Sequence, residues 1–236
     1  MHEFELLEAI YASSKHLDST VTIGPGDDMG EVCLGDQKIL LAVDHLVVGR
    51  HVEPNLDPAI IGRKAIARCF SDIAAMCGQP AGSLMTACLP KTISNEWAKS
   101  VFDSARKVAE EWGGPLLGGD ISTAEIEHAI FTVSAIATPP SSGAITRNGA
   151  QIGDLVCVTG EFGNSIKHHH LAFNPRIEEA KQIYGELGES LHAMIDVSDG
   201  LAQDASHIAT ENSQIKIHTH SIPLRNGATI ENALQD

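Results

Sequence analysis

The run PAIIGRKAIARCFSDIAAM, Pro58–Met76, decides the fold class. Ile60, Ile61, Ala65, Ile66, Cys69, Ile73 and Met76 recur at helical spacing. Asp57 stands just before Pro58, the pairing expected of an N-cap carboxylate with proline at the first helical position. Upstream, Lys38–Val43 (KILLAV) reads as a buried strand ending at Asp44. Downstream, Gly82–Leu89 reads as a strand closed by Pro90, and Asn95–Trp112 as a second amphipathic helix. A short strand, Pro115–Leu117, and a long one within His128–Thr138 follow. Helices set between strands imply an α/β fold.

Acidic residues punctuate these elements. Asp72 lies inside the 58–76 helix among alanines and an isoleucine. It either faces solvent or is a carboxylate that burial would penalise unless something compensates it. Asp44 closes a strand, a common place for ligand contacts in α/β folds. Asp27 and Asp28 sit in Ile23–Gly30, a turn with three glycines and a proline, open either to a plain surface role or to close approach of a ligand. Asp120 follows Gly118-Gly119 at the end of the Pro115–Leu117 strand. That glycine-rich run lacks the Lys-Ser/Thr pair of a Walker phosphate loop. In Ile195–Asp204, Asp196 and Asp199 stand three residues apart around Ser198, and a helix starts near Gly200. None of these acids has a lysine beside it. Carboxylates that converge without basic partners repel one another unless a cation sits between them, and hard oxygen donors suit magnesium, which usually arrives with phosphate.

Composition narrows the class. The 236 residues are 43% hydrophobic and 20% charged, as in ordinary globular proteins, with only 4% aromatics, so the core must be aliphatic. A formal charge of −15 argues against a nucleic-acid partner. Five cysteines (33, 69, 77, 88 and 157) make no CxxC pair, which suits a reducing compartment. No basic-then-apolar leader and no membrane-length apolar run is present, so a cytoplasmic protein without membrane contact is expected.

Pro139–Gly143 is the strongest linker signal. It divides the chain into an expected N-terminal domain, residues 1–139, and a C-terminal α/β domain, residues 144–236. In the second unit, Gly153–Gly160 reads as turn, strand, turn, 175–187 and 201–209 as helices, and Ile215–Ile217 as a short strand. His168-His169-His170 are adjacent, so they face apart on a helix and are expected to be mostly solvated. An amphipathic helix is expected over residues 2–13 and a helix-like segment after Thr229.

Six of these stretches, in order, resemble the motifs of thiamine-monophosphate kinases. GPGDDMG (Gly24–Gly30) is similar to GIGDDAA, and AVDHLVVGRHV (Ala42–Val52) to TTDxLVEGxHF. IGRKAIARCFSDIAAMCGQP (Ile61–Pro80) resembles IGxKALAxNLSDIAAMGGxP, and GGDIS (Gly118–Ser122) resembles GGDTT. ITRNGAQIGDLVCVTGEFGNS (Ile145–Ser165) is similar to LTRSGAKPGDxVYVTGxxGDS, and IDVSDGLAQDASHI (Ile195–Ile208) to IDISDGLxxDLGHI. The likeness runs from about Phe4 to Ile217.

The resemblance implies the two-domain fold of aminoimidazole ribonucleotide synthetase-like proteins and a homodimer formed through the N-terminal sheet. It implies ATP-dependent phosphorylation of thiamine monophosphate to thiamine diphosphate with several Mg²⁺ ions. Carried over singly, Asp27, Asp44, Asp72, Asp120, Asp196 and Asp199 match metal-binding aspartates. Gly119, Asp120, Arg147 and Ser198 match ATP-contacting positions, and His51 the histidine of the thiamine-phosphate site. Ala42-Val43 replaces the family's hydroxyl pair, and Ile121-Ser122 its threonines. The segment between Ser165 and Asp196 is shorter than in the family. The family's GGEDYE-like motif does not occur by Asp236, so an incomplete C-terminal domain is expected. A non-catalytic or differently specific ATP-binding paralogue is the alternative that Ala42-Val43 keeps open.

Overall fold

The computed structural model describes residues 3–14, 17–209 and 214–235. Helix α1 (Glu3–Ser13) leads into three strands, β1 (Val21–Ile23), β2 (Gly30–Leu34) and β3 (Gln37–Val47). Then come α2 (Pro58–Ala75), β4 (Gln79–Pro90), α3 (Asn95–Glu111), β5 (Leu116–Ala124) and β6 (Ile130–Thr138). The six strands form one sheet in the order β1-β2-β3-β6-β4-β5. Every neighbour pair is antiparallel except β4 with β5, which are parallel and joined through α3. A parallel pair needs such a crossover, whereas antiparallel pairs close with turns.

Alternation along the strands decides which face is covered. On β6, Phe131, Val133, Ala135 and Ala137 are buried while their neighbours are less so, the period-two pattern of a one-sided sheet. Leu40 and Leu46 of β3 and Met85, Ala87 and Leu89 of β4 extend that buried side. Helix α2 covers it with Ile61, Ile66, Phe70 and Ile73, and α3 adds Val101 and Ala105. Each fully buried aliphatic or aromatic side chain contributes about 1.5–3 kcal/mol. The two helices cross closely at Gly62, where a Cβ would lie 2.0 Å from the carbonyl oxygen of Val101. The other face leaves Val43, Leu117 and Ile121 more than half exposed, with Leu41 and Leu84 partly so.

Helix α2 starts as its sequence predicts: the Asp57 carboxylate accepts the Ala59 N–H at 2.9 Å, ahead of Pro58. Two strands run further than the sequence reading placed them. β3 continues through Asp44 to Val47, so Asp44 sits within the strand and not at its end. β5 continues through Gly118, Gly119 and Asp120 to Ala124, so Asp120 is mid-strand. In both cases pairing with a long neighbour, β6 or β4, carries the ladder past the polar residue.

After β6 the chain forms α4 (His169–Ala172), α5 (Ile177–Leu187), α6 (Leu201–Ile208) and α7 (Ile230–Gln235). Helix α5 joins the large core through Ile177 and Ala180, while Phe162, Leu201, Ile222 and Ala233 make a second, small core. The strands expected at Leu155–Val158 and Ile215–Ile217 do not form. Leu155 is 89% exposed, and a strand needs a bonded neighbour that neither segment meets among the described residues. No helix among the described residues is long and apolar enough to cross a membrane.

Candidate active site

Three carboxylates meet at one end of α2. Asp28 comes from the glycine-rich turn between β1 and β2, Asp72 from the last turns of α2, and Asp196 from the extended segment before α6. One oxygen of each lies within 4.8 Å of the others. Burial and the facing charges of Asp196, Asp28 and Asp44 push the Asp72 carboxyl up to about 9. Burial and Asp28 raise Asp196 to about 7, against a 2.6 Å hydrogen bond donated by Ser71. Burial also raises Asp28. Asp72 thus faces the cluster and not solvent, the alternative that its position in the helix had left open.

The site does have basic partners, contributed from a distance and not by sequence neighbours. Arg68, one turn before Asp72, grips Asp44 with two nitrogens at 2.6 and 3.0 Å. Arg147 donates from Nε to Asp28 at 3.2 Å and bonds it again through Nη2, while its backbone N–H reaches Asp27 at 3.2 Å. Two guanidinium groups therefore bracket Asp27, Asp28, Asp44, Asp72 and Asp196, leaving negative charge in excess. Oxygens opposite one another on an octahedral Mg²⁺ are about 4.2 Å apart, so carboxylates this close fit a hard cation after a small adjustment.

Asp28, and not Asp27, supplies the third carboxylate. Asp27 instead accepts the Asp28 N–H at 3.0 Å and the Arg147 N–H, which shapes the turn. Successive side chains in a turn point apart, so the sequence had no means of choosing between two adjacent acids. Asp44 lies near the cluster, bound to Arg68, and Ala42 on the same side of β3 offers no oxygen. Asp120 and Asp199 are exposed and stand outside the group of three. Gly119 faces β4 so closely that a Cβ would lie 1.7 Å from the Met85 carbonyl oxygen, which explains the glycine by packing.

Ser198 and Asp199 belong to a loop set by a buried acid to which the sequence pattern assigns no role. Asp204, buried at the start of α6, accepts the backbone N–H groups of Ser198, Asp199 and Gly200 on one oxygen at 2.8, 3.0 and 3.1 Å. An acid in the first turn of a helix was the available signal. His51 follows β3; its Nδ1 accepts the Val47 N–H at 2.9 Å. Burial and the Arg68 charge lower its ring to about 4. At neutral pH it is therefore an uncharged ring with its proton on Nε2.

Residues 26–161 match the family described as AIR synthase related protein, N-terminal domain. The thiamine-monophosphate kinase of Pyrococcus horikoshii is 32% identical over 214 residues, covering 84% of this chain and 67% of that protein. The thiamine-monophosphate kinase of Haemophilus influenzae is 28% identical over 247 residues, covering 95% and 73%. A solved structure described as AaThiL complexed with AMPPCP and TMP superposes with a TM-score of 0.85 at 26% identity, over 99% of this chain and 81% of that one. These matches make the chain a member of the thiamine-monophosphate kinase family within the AIR synthase related proteins.

Proposed function

We propose that this protein transfers the γ-phosphoryl group of ATP to thiamine monophosphate, giving thiamine diphosphate and ADP. The observation that carries the reading is the convergence of Asp28, Asp72 and Asp196 from three separate parts of the chain, beside Arg147 and Arg68. The acceptor is already a phosphate, so no general base is required. The obstacle is mutual repulsion of two polyanions, which positioning and charge stabilisation overcome.

In this reading Asp28, Asp72 and Asp196 hold magnesium, with Asp27, Asp44, Asp120 and Asp199 as further metal-binding aspartates. Magnesium bound there would neutralise charge on the phosphoryl oxygens. Arg147 and the Ser198 loop contact the nucleotide, as do Gly119 and Asp120, which stand on β5. His51 donates from Nε2 to the acceptor. The outer sheet face with Leu41, Val43, Leu84, Leu117 and Ile121 supports a homodimer, since a contiguous apolar face is usually covered. Five free cysteines support a cytoplasmic setting. A division into two domains at Pro139–Gly143 is supported by the two separate cores, although α5 leans on the first.

The test is thiamine diphosphate formation from ATP and thiamine monophosphate with and without Mg²⁺, beside Asp72→Asn and Asp199→Asn. Product that needs Mg²⁺ and fails in Asp72→Asn supports the reading. ATP binding without product in the unaltered chain would sink it and favour a non-catalytic paralogue.

A further inference from the structure

Two consecutive cations of α2 reach a segment more than a hundred positions away. Arg63 donates to the carbonyl oxygens of Leu171, Ala172 and Phe173 at 3.2, 3.1 and 2.6 Å, and to Oδ1 of Asn174 at 2.6 Å. Lys64 is only 5% exposed. Its Nζ donates to the His51 carbonyl oxygen at 2.7 Å and lies 2.8 Å from Nδ1 of His170. Against the expectation of a mostly solvated cluster, His168 is exposed but His169 and His170 are half-buried. His170 is half-buried against α2, and His169 lies against Phe173 with ring centroids 6.5 Å apart.

A buried ammonium costs stability unless hydrogen bonds compensate it. Here the compensation comes from a backbone oxygen on one side and an imidazole on the other. The His51 backbone is therefore fixed to α2, and α2 to the His168–Asn174 segment, through one side chain. The ring of His51 is fixed separately by the Val47 N–H, which directs its own proton to Nε2.

We infer that Lys64 is a positioning residue for the phosphate acceptor. It holds the His51 backbone between α2 and the His170 segment, so that Nε2–H is presented in one fixed direction. Lys64 acts through His51, with the Arg63 bonds keeping the segment in place. The inference rests on the reading of His51 as an acceptor-site residue.

Calorimetric titration tests it, using thiamine monophosphate and, separately, a non-hydrolysable ATP analogue with Mg²⁺. The proteins are the unaltered chain, Lys64→Met and His170→Leu; the second variant decides if the first does not fold. Thiamine monophosphate binding should weaken about tenfold in either variant, since the His51 carbonyl loses its donor in Lys64→Met and the buried Lys64 ammonium loses an acceptor in His170→Leu, while the ATP analogue binds within about twofold of the unaltered chain. Unchanged thiamine monophosphate affinity, or equal weakening for both ligands, overturns the inference and leaves the kinase reading intact. Failure of the unaltered chain to bind thiamine monophosphate would overturn the acceptor assignment itself, and this inference with it.

Discussion

Replacing Asp72 by asparagine should make the metal-free protein more stable, and more so as pH rises. In the fold the Asp72 carboxyl titrates at about 9, against an ordinary value of 3.8, because it is buried and faces Asp196, Asp28 and Asp44. The native state therefore holds a proton that the unfolded chain releases. Stability then falls as pH rises from about 4 to about 9, by about 1.4 kcal/mol per pH unit at most. At about pH 8 the penalty approaches 5–6 kcal/mol as an upper bound; sharing among the coupled acids and local relaxation bring it to about 3 kcal/mol. Asparagine removes the ionisable group. Its melting temperature at about pH 8 should exceed that of the unaltered protein by about 6–12 °C. At about pH 5 the gain should shrink to about 1 kcal/mol or less. Chelator-treated samples followed by thermal or urea unfolding give both numbers. Added Mg²⁺ should close the gap by stabilising only the protein that keeps all three acids. A gain equal at both pH values, or no gain, would show that Asp72 is solvated or already balanced by Arg68.

Other expectations follow from single contacts. Asp204→Ala should cost about 2–4 kcal/mol in urea unfolding, because three loop N–H groups lose one carboxylate acceptor, and it should depress activity with it; an unchanged midpoint refutes the clamp. Gly62→Ala should destabilise by about 2 kcal/mol or more, since its methyl would meet the Val101 carbonyl at 2.0 Å; a neutral result would mean that α2 and α3 separate freely. His51 should titrate near 4 by NMR, so it gains a proton only as pH falls below the ordinary histidine range; a midpoint near the usual 6.5 would contradict its burial.

The parts of this fold that could be read in the sequence are those written in local spacing. Helix α2 announced itself by apolar periodicity and its Asp57-Pro58 start, and β6 by its apolar run. Strand ends were harder. Nothing local to Asp44 or Asp120 reveals that a long partner strand continues beside it. Leu155–Val158 carries a strand pattern but meets no partner strand among the described residues, since pairing is a property of two segments and not of one. At the site, Asp72 and Asp196 were legible because acids in apolar surroundings are costly. Asp27 and Asp28 are adjacent turn residues that look alike in a string, and spacing alone does not say which of them turns towards Asp72 and Asp196. Arg68 and Arg147 could not be recognised as partners, because neither is a sequence neighbour of the acid it grips.

The bond from Ser71 to Asp196 spans 125 positions. Asp28 and Asp72 therefore reach the growing chain long before the third acid exists. The sheet and its two covering helices can assemble while the cluster is still incomplete, and local contacts form ahead of distant ones. In this order of events the largest of the charges facing Asp72, that of Asp196, joins only when the later segment docks. Changes at Asp72 should then alter chiefly how fast the native protein opens, leaving the speed of its assembly nearly untouched.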